Sequence, residues 1–336
     1  MKFLGVCAAL FWNLSLSLTA TEPAFIWPSY GSGSSSFPTL NGHTNSVPDI
    51  VGRVDGTADL VIFTEGNHFP VLLPLVYDAF PEWLSRHSEF ESKPNPDICV
   101  VTLPQYLIVE AMIQGGMRLG NLVLPVQSNG PWFPDLVMGG EAPLKKLCRQ
   151  NLVDNTAFRL ARHRGPALLV QKGNPLKFSS LEDLSRDGCS WVMATETEAG
   201  ARHQYLKAMQ SLLPKDISPD ILLKHERQDF NGRLRIQHRD IPFAVANGRA
   251  DAGLIFRHLA HYYANMFPDL LSVVEVEGAE SFSADIYVTT TARSSRNSWG
   301  AVFVRFLREA APEAYPRGGF QILPKSEFGE SLDLSH

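Results

Sequence analysis

Two short passages put hydroxyl, amide, imidazole and carboxylate groups where a strand gives way to a helix. Thr64-Glu65-Gly66-Asn67-His68 follows the apolar run Leu60 to Phe63 and precedes the apolar stretch Phe69 to Phe80. Thr195-Glu196-Thr197-Glu198-Ala199-Gly200 follows Trp191 to Ala194 and leads into an amphipathic stretch ending near Leu213. A helix start leaves backbone N–H groups without partners and so suits an anion. Two such starts, far apart in the chain, suggest two lobes meeting over one small polar ligand. A third segment, Arg235 to Pro242, sets Gln237, His238 and Arg239 just before a short helix. Arg239 can make paired hydrogen bonds to a carboxylate or oxyanion, and His238 can add a donor. The alternative for this segment is an ion-paired surface loop, which contributes little.

Glu65, Glu196 and Glu198 bear on the ligand's charge. As rim groups they would help two lobes close. Pointing inward, they would oppose an anion and favour a cationic, zwitterionic or metal-bridged solute. A carboxylate pair across a cleft also suits acid–base chemistry. No nucleophile–base pair accompanies it, however, and Ser179-Ser180 and Ser294-Ser295 lack the Gly-x-Ser-x-Gly elbow. Walker and Rossmann glycine patterns are missing too. The chain therefore reads as a non-enzyme with no catalytic residues and no cofactor. His258 and His261 have helical i, i+3 spacing, but without a further fixed ligand they read as a helix face, so no metal is expected.

These residues need a scaffold, and the pattern from Ala58 onward supplies one. Strands are predicted at Leu60–Phe63, Ile98–Thr102 and Asp135–Met138, with helices at Phe69–Arg86, Pro104–Gln114 and Ala142–Asn151 between and after them. Pro74 is expected to kink the first helix. A second unit follows, with strands at Ala167–Gln171, Trp191–Ala194, Ala250–Phe256 and Ala284–Thr290. Its helices run from Ala199 and over Ile241–Asn247, and Ser298–Glu309 forms a final amphipathic helix. Alternation of this kind calls for an α/β fold of mostly parallel sheets flanked by helices.

Composition narrows the class. The hydrophobic share of 44%, charged share of 19% and net charge of −5 are those of an ordinary globular chain without a polyanion footprint, so nucleic acid is not an expected partner. Met1-Lys2, the apolar run Phe3 to Leu18 and the small residues Thr19 and Ala20 read as a secretory signal over residues 1–20. Export would place the mature chain in the periplasm or outside the cell. Residues 21–57, rich in Ser, Gly and Pro, read as a flexible lead-in. Cys99, Cys148 and Cys189 remain after the signal, which allows at most one disulfide; buried thiols are the simpler expectation.

The order of several passages resembles the type II periplasmic solute-binding proteins of ABC transporters, near the molybdate- and tungstate-binding branch. Leu60 to Asn67 is similar to that family's first strand and ligand loop. Pro134 to Val137 matches its Pro-Asp-Val strand, and Ala167 to Pro175 its strand ending in Lys-Gly-Asn-Pro. Asn247 to Phe256 is similar to its Gly-x-Ala-Asp-Ala-Gly passage, and Phe303 to Leu307 with Gly319-Phe320 to its closing helix and Gly-Phe. The resemblance implies two lobes joined by a two-segment hinge, over residues 58–165 plus 290–330 and 166–289. It also implies a monomer that captures a molybdate-like oxyanion and delivers it to an inner-membrane ABC permease. A sensing module of the same fold, or a binder of a carboxylate or another small solute, are the alternatives.

Carried over position by position, the resemblance puts Asn67 where the family has a ligand-binding Ser, with His68 beside it. Thr102 and Gln105 fall at its second turn, and Thr197 and Ala199 at its second-lobe helix start. Phe256 stands where the family has a Tyr and cannot donate from a hydroxyl. With Arg239, these give the expected ligand-binding set: Asn67, His68, Thr102, Gln105, Thr197, Ala199 and Arg239.

Overall fold

Leu60 to Phe63 is buried on both faces of its strand, with Leu60 and Ile62 in one apolar cluster and Val61 and Phe63 in another. That explains its continuous apolar run: a strand covered on both sides has no solvent face to alternate with. The computed structural model describes residues 50–336 apart from 91–94, 120, 121, 229–237 and 297. The signal over 1–20, the lead-in up to residue 49 and Gln237 lie outside the described residues.

The chain enters on β1 (Ile50–Gly52) and continues through β2 (Leu60–Glu65), α1 (Phe69–Pro74), α2 (Phe80–Ser85), β3 (Ile98–Leu103) and α3 (Gln105–Gln114). A hairpin, β4 (Met117–Leu119) and β5 (Leu122–Leu124), leads to β6 (Leu136–Gly139), α4 (Glu141–Cys148) and β7 (Thr156–Arg162). Pro74 and Pro81 remove two N–H donors from the first helical segment. Between α1 and α2 the turn widens over Leu75–Ala79, where Phe80 N–H reaches the carbonyl of Leu75. Gly115, at a φ of +73°, ends α3 in the left-handed conformation that a side chain would resist.

The chain then crosses into the second unit through β8 (Pro166–Gln171), β9 (Trp191–Val192), α5 (Ala199–Leu212), α6 (Pro219–Leu223), α7 (Ile241–Ala246), β10 (Ala252–Phe256), α8 (Arg257–Met266) and β11 (Leu271–Val274). It returns on β12 (Asp285–Thr290) and finishes with α9 (Ala292–Arg296), α10 (Ser298–Arg317) and β13 (Ser331–Asp333). The first sheet has the order β1-β3-β2-β6-β12-β7-β13 and the second β11-β8-β10-β9. This is the expected two-sheet α/β architecture.

Four details differ from the sequence reading. The sheets are mixed: β3, β2 and β6 run parallel, but β12 lies antiparallel to both β6 and β7, and β8 antiparallel to β10 and β11. β12 lies wholly in the first sheet, paired with β6 and β7, so the expected return of the last strand to the first lobe comes a few residues before the 166–289 boundary ends, beside the bond from His163 N–H to the Ala284 carbonyl at 3.1 Å. β4, β5, β7, β11 and β13 were not predicted. The end of the lead-in is strand: Ile50 pairs with Val101, and the Tyr77 hydroxyl donates to the Val51 carbonyl at 2.9 Å.

The outgoing crossing passes through Gly165 at a φ of +74°, and a Cβ there would stand 1.9 Å from the Ala279 carbonyl oxygen. Only glycine lets the two crossings lie this close. Within the first lobe, Asp135 is fully buried; its Oδ2 accepts from Val61 N–H at 2.8 Å and from Arg293 Nε at 3.3 Å. The same guanidinium donates to the carbonyls of Ala58, Pro131 and Phe133. Arg293 thus ties the β2–β6 seam to the helix that follows β12. Replacing Arg293 by Met leaves a buried carboxylate uncompensated, so the unfolding free energy should fall by about 3 kcal/mol, read from the urea midpoint at constant slope.

Candidate functional site

Three strands of the first lobe end at one edge of the sheet, and each is followed at once by a helical turn. β2 gives way to the turn Gly66–His68 and α1, β3 to Pro104 and α3, and β6 to Gly140 and α4. In the second lobe β9 is followed by the turn Glu196–Glu198 and α5. None of these starts carries a side-chain cap. All four open onto one cavity of about 800 Å³ between the lobes, and His163, Phe256 and Asp285 to Tyr287 of the hinge region complete its wall.

Of the expected ligand-binding residues, Asn67, Gln105 and Ala199 line this cavity. Gln105 Oε1 accepts from Gly140 N–H at 3.2 Å, and its Nε2 is buried with no partner among the described residues. That amide lies directly over Gly139, where a Cβ would stand 1.7 Å from Nε2. The glycine therefore holds a donor at the cavity wall.

Three of the other four sit elsewhere. His68 is fully buried behind its loop, hydrogen-bonded through its two ring nitrogens to the Thr64 hydroxyl and, at 2.7 Å, to the Tyr315 hydroxyl. It packs α10 against β2 rather than reaching the cavity. Thr102 is also fully buried, and it is its carbonyl that is used, accepting from Arg239 Nη2 at 3.5 Å. Arg239 thus spans the lobes, passing beside Gly66. His258 makes a second such link, its Nε2 donating to the Asn67 carbonyl at 2.8 Å. Thr197 contributes its backbone to the turn Glu196–Glu198; its side chain lies outside the described residues.

His163 and Phe256 join the site from the hinge. Their rings lie 4.3 Å apart, and Phe256 also stacks on His238 at 5.1 Å. Phe256 was noted only for its missing hydroxyl, and His163 went unseen because β7 did. Glu65, Glu196 and Glu198 all stand on the cavity wall. Glu196 pairs with Arg202 at 3.1 Å, and Glu198 with His238, which is also bonded to the Tyr205 hydroxyl. Asp285 pairs with Arg159 at 2.9 Å and with Arg162, and Glu110 with Lys146 at 2.9 Å. Burial pushes the Glu65 carboxyl up to about 7, and the nearby Glu198 pushes the same way while His238 opposes it.

Among the described residues no group of three His, Cys, Asp or Glu side chains converges as a metal site. His258 and His261 diverge, the second bonding to Glu275 at 2.7 Å. Cys99, Cys148 and Cys189 are all free thiols, and burial raises Cys99 to about 12. No helix of the described residues is long and apolar enough to cross a membrane.

Two lobes closing on a polar cleft lined by helix starts define a capture protein. The chain belongs to the bacterial extracellular solute-binding protein family, whose model matches residues 91–321. Proteins of this family bind solutes rather than transform them, and they work in the periplasm or outside the cell. Curated protein sequences yield no match. Among solved structures, the chain is similar to the sulfate-binding protein SubI of Mycobacterium tuberculosis H37Rv, with a TM-score of 0.56, 13% identity, and coverage of 80% of this chain and 88% of that one. It is also similar to the periplasmic molybdate-binding protein of Azotobacter vinelandii (TM-score 0.52, 14% identity, coverage 79% and 100%). A third is iron-bound HitA of Pseudomonas aeruginosa (TM-score 0.52, 13% identity, coverage 81% and 89%). These likenesses establish the type II periplasmic binding fold.

Burial holds His68 and His163 neutral, with pKa values near 3, and places His258 well below the ordinary range. Unfolding frees these rings to take up protons below about 6.5, so the unfolded state gains as pH falls from there. Glu65 has the opposite sign, since its raised pKa penalises the fold as pH rises from about 4.5 to about 7. Asp135, raised by burial to about 6, acts in the same direction as Glu65, and three rings against two carboxyls leave a net loss of about 1 kcal/mol between pH 7 and 5.5. Urea unfolding at the two pH values checks it; a flat profile would mean that the rings ionise in place.

Proposed function

We propose that the protein captures a small solute through an anionic group held at the helix starts of its cleft, and hands the closed complex to an ABC permease. One observation carries this reading: four uncapped helix starts, three from one lobe and one from the other, open onto the same cavity. Backbone N–H groups and aligned dipoles at helix starts favour negative charge. The Gln105 amide adds a buried donor that lacks a partner among the described residues.

The molybdate or tungstate form of the reading is the narrower one. The proteins of similar fold carry sulfate, molybdate and iron, so the fold alone leaves the solute open. A cavity of about 800 Å³ exceeds what a five-atom oxyanion fills. An organic anion, a carboxylate or a phosphorylated or sulfonated molecule, makes better use of that volume. Closure then selects the solute, because a poorly fitting one leaves buried donors unpaired.

A thermal-shift screen tests the proposal with molybdate, tungstate, sulfate, phosphate and small organic anions at matched ionic strength. A solute near 100 times its dissociation constant adds about 2.7 kcal/mol of stability. Gly139→Ala, which displaces the Gln105 amide, should weaken whichever anion binds by about tenfold while the protein stays folded, since one buried hydrogen bond is lost. A protein that no anion stabilises, or a variant with undiminished affinity, would remove the helix-start site.

A further inference from the structure

The inner wall of the cleft is built for the opposite kind of group. Glu65 comes from the first lobe and Glu198 from the second, and both face the cavity. The other cavity carboxylates with a partner are matched by Arg or Lys, Glu110 by Lys146, Glu141 by Lys145, Glu196 by Arg202 and Asp285 by Arg159. Among the described residues, no Lys or Arg forms an ion pair with Glu65; its neighbours are the Asn67 side chain, hydrogen-bonded to it, and His238. The bonds of Glu198 to His238 are made by one oxygen, Oε2. The same cavity wall holds His163, only 4% exposed, whose charged neighbours are Asp285 and His238 and whose Nδ1 lacks a hydrogen-bond partner among the described residues. A carboxylate at a helix start complements the dipole there, which accounts for the sign of Glu65 and Glu198. It does not account for an orphaned imidazole nitrogen in the same wall, since buried polar atoms are ordinarily paired.

We infer that Glu65, Glu198 and His163 form a second subsite that takes a charged nitrogen of the solute, an ammonium or amidinium, so that the cargo is an amine-bearing organic anion. The inference rests on the anion site proposed above and adds the other end of the molecule. Carboxylates are acceptors only, and a neutral imidazole offers one acceptor nitrogen, so the set matches the several N–H donors of an ammonium. Cation binding relieves the repulsion between carboxylates that lobe closure brings into one space. A bare metal ion fits less well, because no three-ligand group converges among the described residues. Partial neutrality of Glu65 in the empty cleft adds a signature: an ammonium arriving there drives off the carboxyl proton, whereas an anion arriving there draws one in.

The test compares matched probes on the full chain: taurine against isethionate, phosphoethanolamine against 2-hydroxyethyl phosphate, and serine against glycerate. Each member of a pair differs only by amine or hydroxyl. Calorimetric titration should show at least one amine binding tenfold or more tighter than its hydroxyl partner. Titration in two buffers of different ionisation enthalpy should show proton release on binding. Glu65→Gln should bring the ratio within that pair close to one. Equal affinity within every pair, proton uptake by the amine, or a preference that survives Glu65→Gln would overturn the inference and leave the anion site standing. The same holds if only inorganic oxyanions bind. Binding of ethylamine as tightly as taurine would keep the amine subsite and overturn the anion site. No binding across the whole panel would overturn both.

Discussion

The backbone N–H of His163 donates to the carbonyl of Ala284, joining the outgoing and returning chains where they pass between the two sheets. Much of the cleft follows from that contact. It lets β7 and β12 pair as neighbours in the first sheet, and it fixes where the second lobe is attached. It requires glycine at 165, because the Ala279 carbonyl fills the space where a Cβ would go. It also brings the His163 ring against Phe256 at the end of β10, so the hinge becomes part of the binding wall. Two adjacent connections restrict the lobes chiefly to a rotation about them. A solute bridging the lobes shifts that equilibrium only by the contacts it gains on closure.

The two lobes are fastened to each other by side chains that bond to the main chain. Arg239 and His258, both from the second lobe, donate to the carbonyls of Thr102 and Asn67, which lie on the loops that end β3 and β2. A backbone carbonyl is a good target for a clasp because it occupies no side chain the solute needs. The expense falls on the imidazoles. His258 gives its proton-bearing nitrogen to Asn67, and its Nδ1 is then a buried acceptor without a partner among the described residues. Protonating a ring in that position would place a charge among apolar neighbours such as Phe256 and Phe320, which stack on it.

Much of this architecture was legible in the sequence, for a simple reason. β2, β3 and β6 are covered on both faces, so their apolar runs stand out, and the helix starts after them carry small or polar residues. β7 was missed because Thr156 to Arg162 carries two arginines that pair with Asp285, so it lacks the plain apolar signature of its neighbours. β1 was missed because three residues next to a Ser/Gly/Pro-rich stretch look like more of the same. In the site, Asn67, Gln105 and Ala199 could be placed by position after a strand. His68 could not, since no local pattern shows that its ring turns back to meet Tyr315, 247 positions on. Arg239 read as a ligand group because its type suits oxyanions. Its actual reach, to a main-chain oxygen of the other lobe, exists only once the lobes have come together.

Charge, finally, is distributed in the cleft by pairing more than by count. Acidic side chains are prominent on its wall, and read as a sum they would argue against any anion. Taken pair by pair, Asp285, Glu110 and Glu196 are spoken for by arginine or lysine, and their fields largely cancel at the distance of a bound solute. The helix starts then set the local potential where their N–H groups point, and Glu65 sets it where no Arg or Lys is paired with it. A solute with one sign of charge satisfies one of these regions and leaves the other facing it across a poorly hydrated space. A solute carrying both signs satisfies each with short-range hydrogen bonds. That is why the arrangement of partners, more than the net charge of the chain, governs what the cleft can hold.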